Sequence, residues 1–222
     1  MKLLVAVSSC RDWKPHFGTC FGNAMMLTNS RGGEVGITEI SVRNAASQSN
    51  IAQSRQNTID YAIESGQDAV MMFDDDMVFP PDVILKLAKT NKPFVFPNVC
   101  QKLPEKISGV VLSGDDKRLD SSFRSGLEKV LWGTLACTLI HVACFNKIPR
   151  PHFEILWDDL GDGNGRYIGE DHYFMQKVKS QGVELWCDHD LTHEVGHMGD
   201  YKYQFLKDTN QHAVQPLIAN KF

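Results

Sequence analysis

The stretch "AVMMFDDDMVFPP", residues 69–81, runs apolar residues straight into three aspartates and then resumes with Met77, Val78 and Phe79. Adjacent carboxylates repel, and holding them against a core costs free energy unless positive charge compensates them. Either the triplet is a turn with its side chains in water, or a cation belongs there. The run "DAVMMFD" (68–74) is short and almost continuously apolar, which predicts a strand covered on both faces. Side chains alternate in a strand, so Asp74 and Asp76 are expected to share one face while Asp75 points to the other.

Outward from this stretch, strands and helices alternate. "KLLVAVS" (2–8) predicts a buried strand, and "SQSNIAQSRQNTIDYAIESG" (47–66) a helix, with Ile51, Ile59, Ala62 and Ile63 at helical spacing and Gly66 as its stop. "PPDVILKLAKTN" (80–91) predicts a helix with prolines at its start, where a missing N–H does no harm. "PFVFPNV" (93–99) is the next strand. "GVVLSG" (109–114) and "EKVLWGTLACTLI" (128–140) read as strands or strand-to-helix turns. "EDHYFMQKVKSQG" (170–182) is a helix ended by Gly182, "VELWCDHD" (183–190) a last strand, and after "HEVGHMGDYKYQF" (193–205) the pattern fades into a polar, aromatic tail. The expected fold class is α/β, with a mostly parallel central sheet flanked by helices. Ligands of such sheets bind outside the carboxyl ends of the strands, where the aspartates lie.

The chain of 222 residues is 42% hydrophobic and 23% charged, ordinary for a globular protein, and without repeats or linkers it reads as one domain. A formal net charge of -4 argues against a surface that coats DNA, and no apolar run reaches the length of a membrane span. Cys10, Cys20, Cys100, Cys137, Cys144 and Cys187 form no C-x-x-C pair, so they read as reduced thiols, and the expected compartment is the cytoplasm.

Three further clusters carry chemistry. Gly169 precedes the helix of 170–182, so Glu170 and Asp171 fall in its first turn. The helix dipole alone accounts for acids there, and the functional alternative is a general base on a rigid helix start. His189, His193 and His197 recur every four residues, but they straddle a strand and a glycine-rich loop. A helical zinc site is therefore disfavoured, and His197 between Gly196 and Gly199 is the better ligand candidate. Gly133 and Thr134 follow an apolar run, either as a bend in the core or as a close backbone approach to a substrate.

Taken in order, "IAQSR" (51–55), "DDDMVFPPD" (74–82), "WGTLACTLI" (132–140), "GEDHYFMQKVKSQG" (169–182), "LWCD" (185–188) and "GHMG" (196–199) resemble family 2-like glycosyltransferases of the GT-A fold, in the compact form common in bacteria and phages. Gln56 stands where that family has asparagine after the helix arginine, so only Arg55 is carried over. "SSCRDW" (8–13) lacks the proline of the family's nucleotide loop, leaving Ser8, Arg11 and Asp12 as its base and ribose candidates.

The resemblance implies a nucleotide-diphosphate sugar as donor and a divalent cation, Mn²⁺ or Mg²⁺, held by Asp76, Asp74 and His197. Imidazole in that set tilts the choice toward Mn²⁺. Arg55 and Asp75 would support the donor and Gly133 and Thr134 would border its sugar. Asp171 would take the acceptor proton in a single, inverting displacement, with Glu170 positioning acceptor or base. Residues 1–100 would form the nucleotide-sugar half, 101–200 the acceptor half, and 201–222 a tail whose Tyr201 and Tyr203 close over the site. The acceptor hydroxyl is expected on a saccharide or a lipid-linked saccharide. The alternative is a hydroxymethylated pyrimidine in DNA, for which Lys102, Lys106, Lys117, Arg118, Arg124, Lys147 and Arg150 would meet phosphates. A non-catalytic nucleotide-sugar or metal-binding protein on the same fold, or a nucleotidyltransferase, are the other classes. The sequence leaves the oligomeric state open.

Overall fold

The computed structural model describes residues 1–9, 13–44, 50–102, 111–112, 117–199, 201–207 and 213–216. Arg11, Asp12, Lys106 and most of the segment 109–114 lie outside the described residues. The first half runs β1 (Lys2–Ser8), α1 (Pro15–Arg31), β2 (Glu39–Asn44), α2 (Ile51–Glu64), β3 (Ala69–Asp74), β4 (Met77–Val78), α3 (Val83–Lys89) and β5 (Phe94–Phe96). The second half runs β6 (Leu127–Val130), β7 (Cys137–His141), α4 (Val142–Phe145), β8 (Leu156–Gly161), β9 (Asn164–Ile168), α5 (Glu170–Ser180), β10 (Leu185–Asp188), α6 (His189–Thr192), β11 (Gly196–Met198), β12 (Tyr201–Gln204) and β13 (Ala213–Pro216).

Seven strands form the central sheet in the order β2-β1-β3-β7-β5-β10-β6. Only β7 and β6 run against the other five, so the sheet is mostly parallel, as expected. Its central strand β3 is buried from Ala69 to Phe73, and its side chains divide between two cores by the period of two. Val70 and Met72 face α2 and α5, packing with Ile59, Ala62, Phe174 and Val178. Ala69, Met71 and Phe73 face α1 and α3, packing with Phe17, Phe21, Val83 and Leu87. Two-sided burial is why the strand reads as a continuous apolar run. Phe73 stacks on Phe79 at 4.4 Å, so the residue beyond the aspartates returns to the core that the strand left.

A second sheet, β13-β12-β11-β4, lies past the aspartates and is antiparallel throughout. The tail past Phe205, in which the sequence pattern fades, therefore contributes β13. Tyr203 is buried in a small cluster with Cys100 and Phe205. Among the described residues, strands β8 and β9 pair only with each other. The described thiols are free, and burial pushes those of Cys100 and Cys144 up, Cys100 to about 12. Among the described residues no helix is long and apolar enough to cross a membrane.

Candidate functional site

The acidic turn is held from both sides. Strand β3 ends at Asp74, whose N–H donates to the Ala136 carbonyl at 2.9 Å, and β4 begins at Met77. Asp75 and Asp76 form the turn between them. On the far side β4 pairs with β11, setting Met77 opposite His197, while the Met198 N–H donates to the Asp76 carbonyl at 2.7 Å. Because the strand stops at Asp74, alternation does not carry through the triplet. Each of the three carboxylates finds a different partner.

Asp74 receives a hydrogen bond from Arg55 Nη2 at 2.7 Å. The other arm of that guanidinium, Nη1, donates to Glu170 at 2.5 Å. Arg55 is 3% exposed, in the second turn of α2, a helix capped by the Asn50 side chain accepting from the Ala52 and Gln53 N–H groups. Burial opposes the Arg55 charge, yet Asp74 and Glu170 outweigh it and raise its pKa, with Asp171 adding to the field. Burial pushes the Glu170 carboxyl up, and the Arg55 charge beside it works against that without cancelling it. One planar, doubly charged-partnered guanidinium thus ties the end of β3 to the start of α5, a task that Lys, a point charge, does not perform.

Asp75 accepts from the Ser9 hydroxyl at 2.5 Å. The preceding residue, Ser8, is the register partner of Asp74 across β1 and β3, so Ser8 lies beside the first of the aspartates. Asp76 meets His197 Nε2 at 3.1 Å and also takes the Lys102 ammonium. Burial works to raise the Asp76 pKa, but His197 and Lys102 prevail and hold it at about 2. The other imidazole nitrogen, Nδ1, lies 3.0 Å from the Cys100 carbonyl, which fixes the ring.

Asp74 is thus engaged by Arg55, whereas Asp76 faces His197 and Lys102. Among the described residues no group of three or more His, Cys, Asp or Glu side chains converges for a metal. The Asp76–His197 pair does fit a divalent cation chemically. It joins a carboxylate to an oriented imidazole, and it already attracts a cation in the Lys102 ammonium.

Asp171 is exposed in the first turn of α5, its Oδ1 accepting from the His172 N–H at 2.7 Å. Gly133 has a packing reason: a Cβ there would lie 2.1 Å from the Phe96 ring. Thr134 is buried and its hydroxyl accepts from the Ala136 N–H at 3.1 Å, in the segment that also binds Asp74. Gln56, the departure from the family pattern, is spent on structure, accepting from the His152 N–H at 2.7 Å. His189 is buried against Ser121 and Glu128, away from His197. Of the basic residues, Lys102 sits on Asp76, Arg124 on Glu128 and Arg150 on Asp60.

Sequence reasoning missed Ser9 and gave Lys102 another role. Both contacts join residues far apart in the chain, and neither belongs to a motif. No protein-family model and no curated protein matches the sequence. Solved structures do match. A197 from STIV superposes over 97% of this chain and 98% of its own, with a TM-score of 0.61 and 18% identity. GalNAc-T7, solved with UDP, GalNAc and Mn²⁺, matches with a TM-score of 0.54 and 9% identity over 94% of this chain, which spans 45% of that one. The chain has the fold of the GT-A glycosyltransferases.

Proposed function

We propose that the protein transfers a sugar from a nucleotide-diphosphate sugar to an acceptor hydroxyl with inversion at the anomeric carbon. The observation that carries this reading is the Arg55 bridge, 2.7 Å to Asp74 and 2.5 Å to Glu170, which joins the acidic turn to the helix bearing Asp171. A leaving diphosphate and a poorly nucleophilic hydroxyl need opposite help, and the bridge holds the two kinds of help side by side.

Asp76 and His197 would hold the divalent cation, with Mn²⁺ preferred by the imidazole. When bound, that ion offsets the charge that builds on the departing diphosphate. Asp171 accepts the proton of the acceptor hydroxyl as its oxygen bonds to the anomeric carbon, and the bond from that carbon to the diphosphate oxygen breaks on the opposite face. Glu170 is not free to move protons while Arg55 holds it, so its role is positional. Arg55 keeps the first turn of α5 in register with β3, the precision that in-line displacement demands. Ser9 steadies Asp75 at the nucleotide edge. In GalNAc-T7, the same kind of sheet is solved with UDP and Mn²⁺, which agrees with this assignment.

The test is a calorimetric titration of Mn²⁺ into protein with UDP present. Asp76→Ala and His197→Ala are each expected to weaken the ion by more than about 100-fold, beyond what loss of an outer hydrogen-bond partner costs. Binding as tight as wild type in both variants removes the pair from this role.

A further inference from the structure

The β8–β9 hairpin carries aromatic surface that no core uses. Trp157 is 54% exposed and Tyr167 76%. They are cross-strand partners, their rings 5.0 Å apart and edge to face. Asp159 and Gly165 form the cross-strand pair two residues along, so all four lie on one face of the hairpin. A Cβ on Gly165 would stand 2.1 Å from the Trp157 six-membered ring. The indole therefore lies over the glycine backbone, and its orientation is fixed by the absence of a side chain below it. The opposite face holds the ion pair of Asp158 with Arg166 at 3.0 Å.

We propose that this face is a platform for a neutral saccharide chain, the acceptor of the transfer reaction whose assignment it rests on. A pyranose ring offers an apolar C–H face to an aromatic side chain and hydroxyl groups to a carboxylate. Trp157 and Tyr167 supply the first kind of surface and Asp159 the second. A nucleic acid also stacks on aromatic rings, but its phosphates need basic neighbours. This face has a carboxylate in their place, and Arg166 lies on the other side, bound to Asp158. Position supports the same occupant. Tyr167 is three residues ahead of Glu170, a span of at most about 11 Å along the chain, so a saccharide lying on the hairpin extends toward the start of α5. Gly169 between them leaves the helix start open, its own Cβ position only 3.1 Å from Asp171 Oδ1.

The experiment follows the Trp157 indole N–H by NMR, without donor or metal, while cellohexaose, maltohexaose, chitohexaose and an oligothymidylate are added in turn. The Trp157 signal is assigned by its loss in Trp157→Ala. At least one hexasaccharide is expected to move it, with affinity, read by calorimetric titration of that hexasaccharide, about tenfold weaker in Trp157→Ala and in Tyr167→Ala and retained in Trp157→Phe. The oligothymidylate is expected to leave it in place. Three inert hexasaccharides, or an oligothymidylate that moves the signal at lower concentration than any of them, overturn the proposal. Because no nucleotide sugar is present, this outcome is independent of whether the Mn²⁺ titration supports glycosyl transfer.

Discussion

Replacing Asp171 by asparagine is expected to lower sugar transfer by about 10²- to 10⁴-fold, the range that a positioned general base contributes. Asparagine keeps an oxygen that can accept the 2.7 Å hydrogen bond from the His172 N–H, so this contact in the first turn of the helix can be kept. What it loses is the capacity to take a proton. Donor affinity, read by titration of the nucleotide sugar, should therefore stay within about twofold of wild type while kcat falls. Unchanged kcat in Asp171→Asn would assign the proton to another group, and a parallel loss of donor binding would make Asp171 a donor contact.

The second large effect is expected at Arg55. Arg55→Met removes the only cation that the described structure sets between Asp74 and Glu170, leaving two carboxylates without their shared partner. Breaking a buried ion pair from one side costs about 3–5 kcal/mol, readable as a lower urea midpoint. The loss should depend on pH with a definite sign. Burial already raises the Glu170 pKa, and without Arg55 nothing of comparable strength pulls it down. A carboxyl whose folded pKa is raised costs stability once it ionises and ceases to do so when protonated. The deficit of Arg55→Met relative to wild type should thus shrink as pH falls through the raised Glu170 value. Arg55→Lys should recover part of the stability but not the transfer rate, because an ammonium cannot address both carboxylates with fixed geometry. A deficit that grows on acidification would contradict the bridge.

The parts of the fold that were legible in the sequence are those where local pattern and burial agree. Strand β1 is Lys2–Ser8 as the run "KLLVAVS" predicts, and β3 ends at Asp74 where the apolar run ends. Helix α5 begins at Glu170, directly after Gly169. Helix α1 was not legible, although Phe17, Phe21, Ala24 and Thr28 are buried at helical spacing, because Gly18 and Gly22 interrupt its propensity. The β8–β9 hairpin was missed as well. Its signal is the turn rather than the strands: Gly161, Asp162 and Gly163 all take positive φ, and Asp-Gly is a turn pair that tolerates this.

In the site, the residue types were legible and their pairing was not. Period-two reasoning joined Asp74 to Asp76, which requires a strand through the triplet. The chain turns at Asp75 and Asp76 instead, because Met77 and Val78 pair with β11 in the second sheet. In that turn each carboxylate has its own partner: Arg55, Ser9, and His197 with Lys102. Of these, only the Arg55 and His197 positions lie in motifs. Ser9 and Lys102 reach the aspartates through tertiary structure alone.

The most direct measurement is release of free nucleoside diphosphate from a panel of UDP-, GDP-, ADP- and dTDP-sugars, run with Mn²⁺ and again with EDTA. The account predicts that at least one diphosphate sugar is turned over with Mn²⁺, that EDTA stops it, and that Asp76→Ala behaves as the EDTA sample does. Turnover that EDTA leaves untouched, or no turnover of any nucleotide sugar in the presence of Mn²⁺, would contradict it.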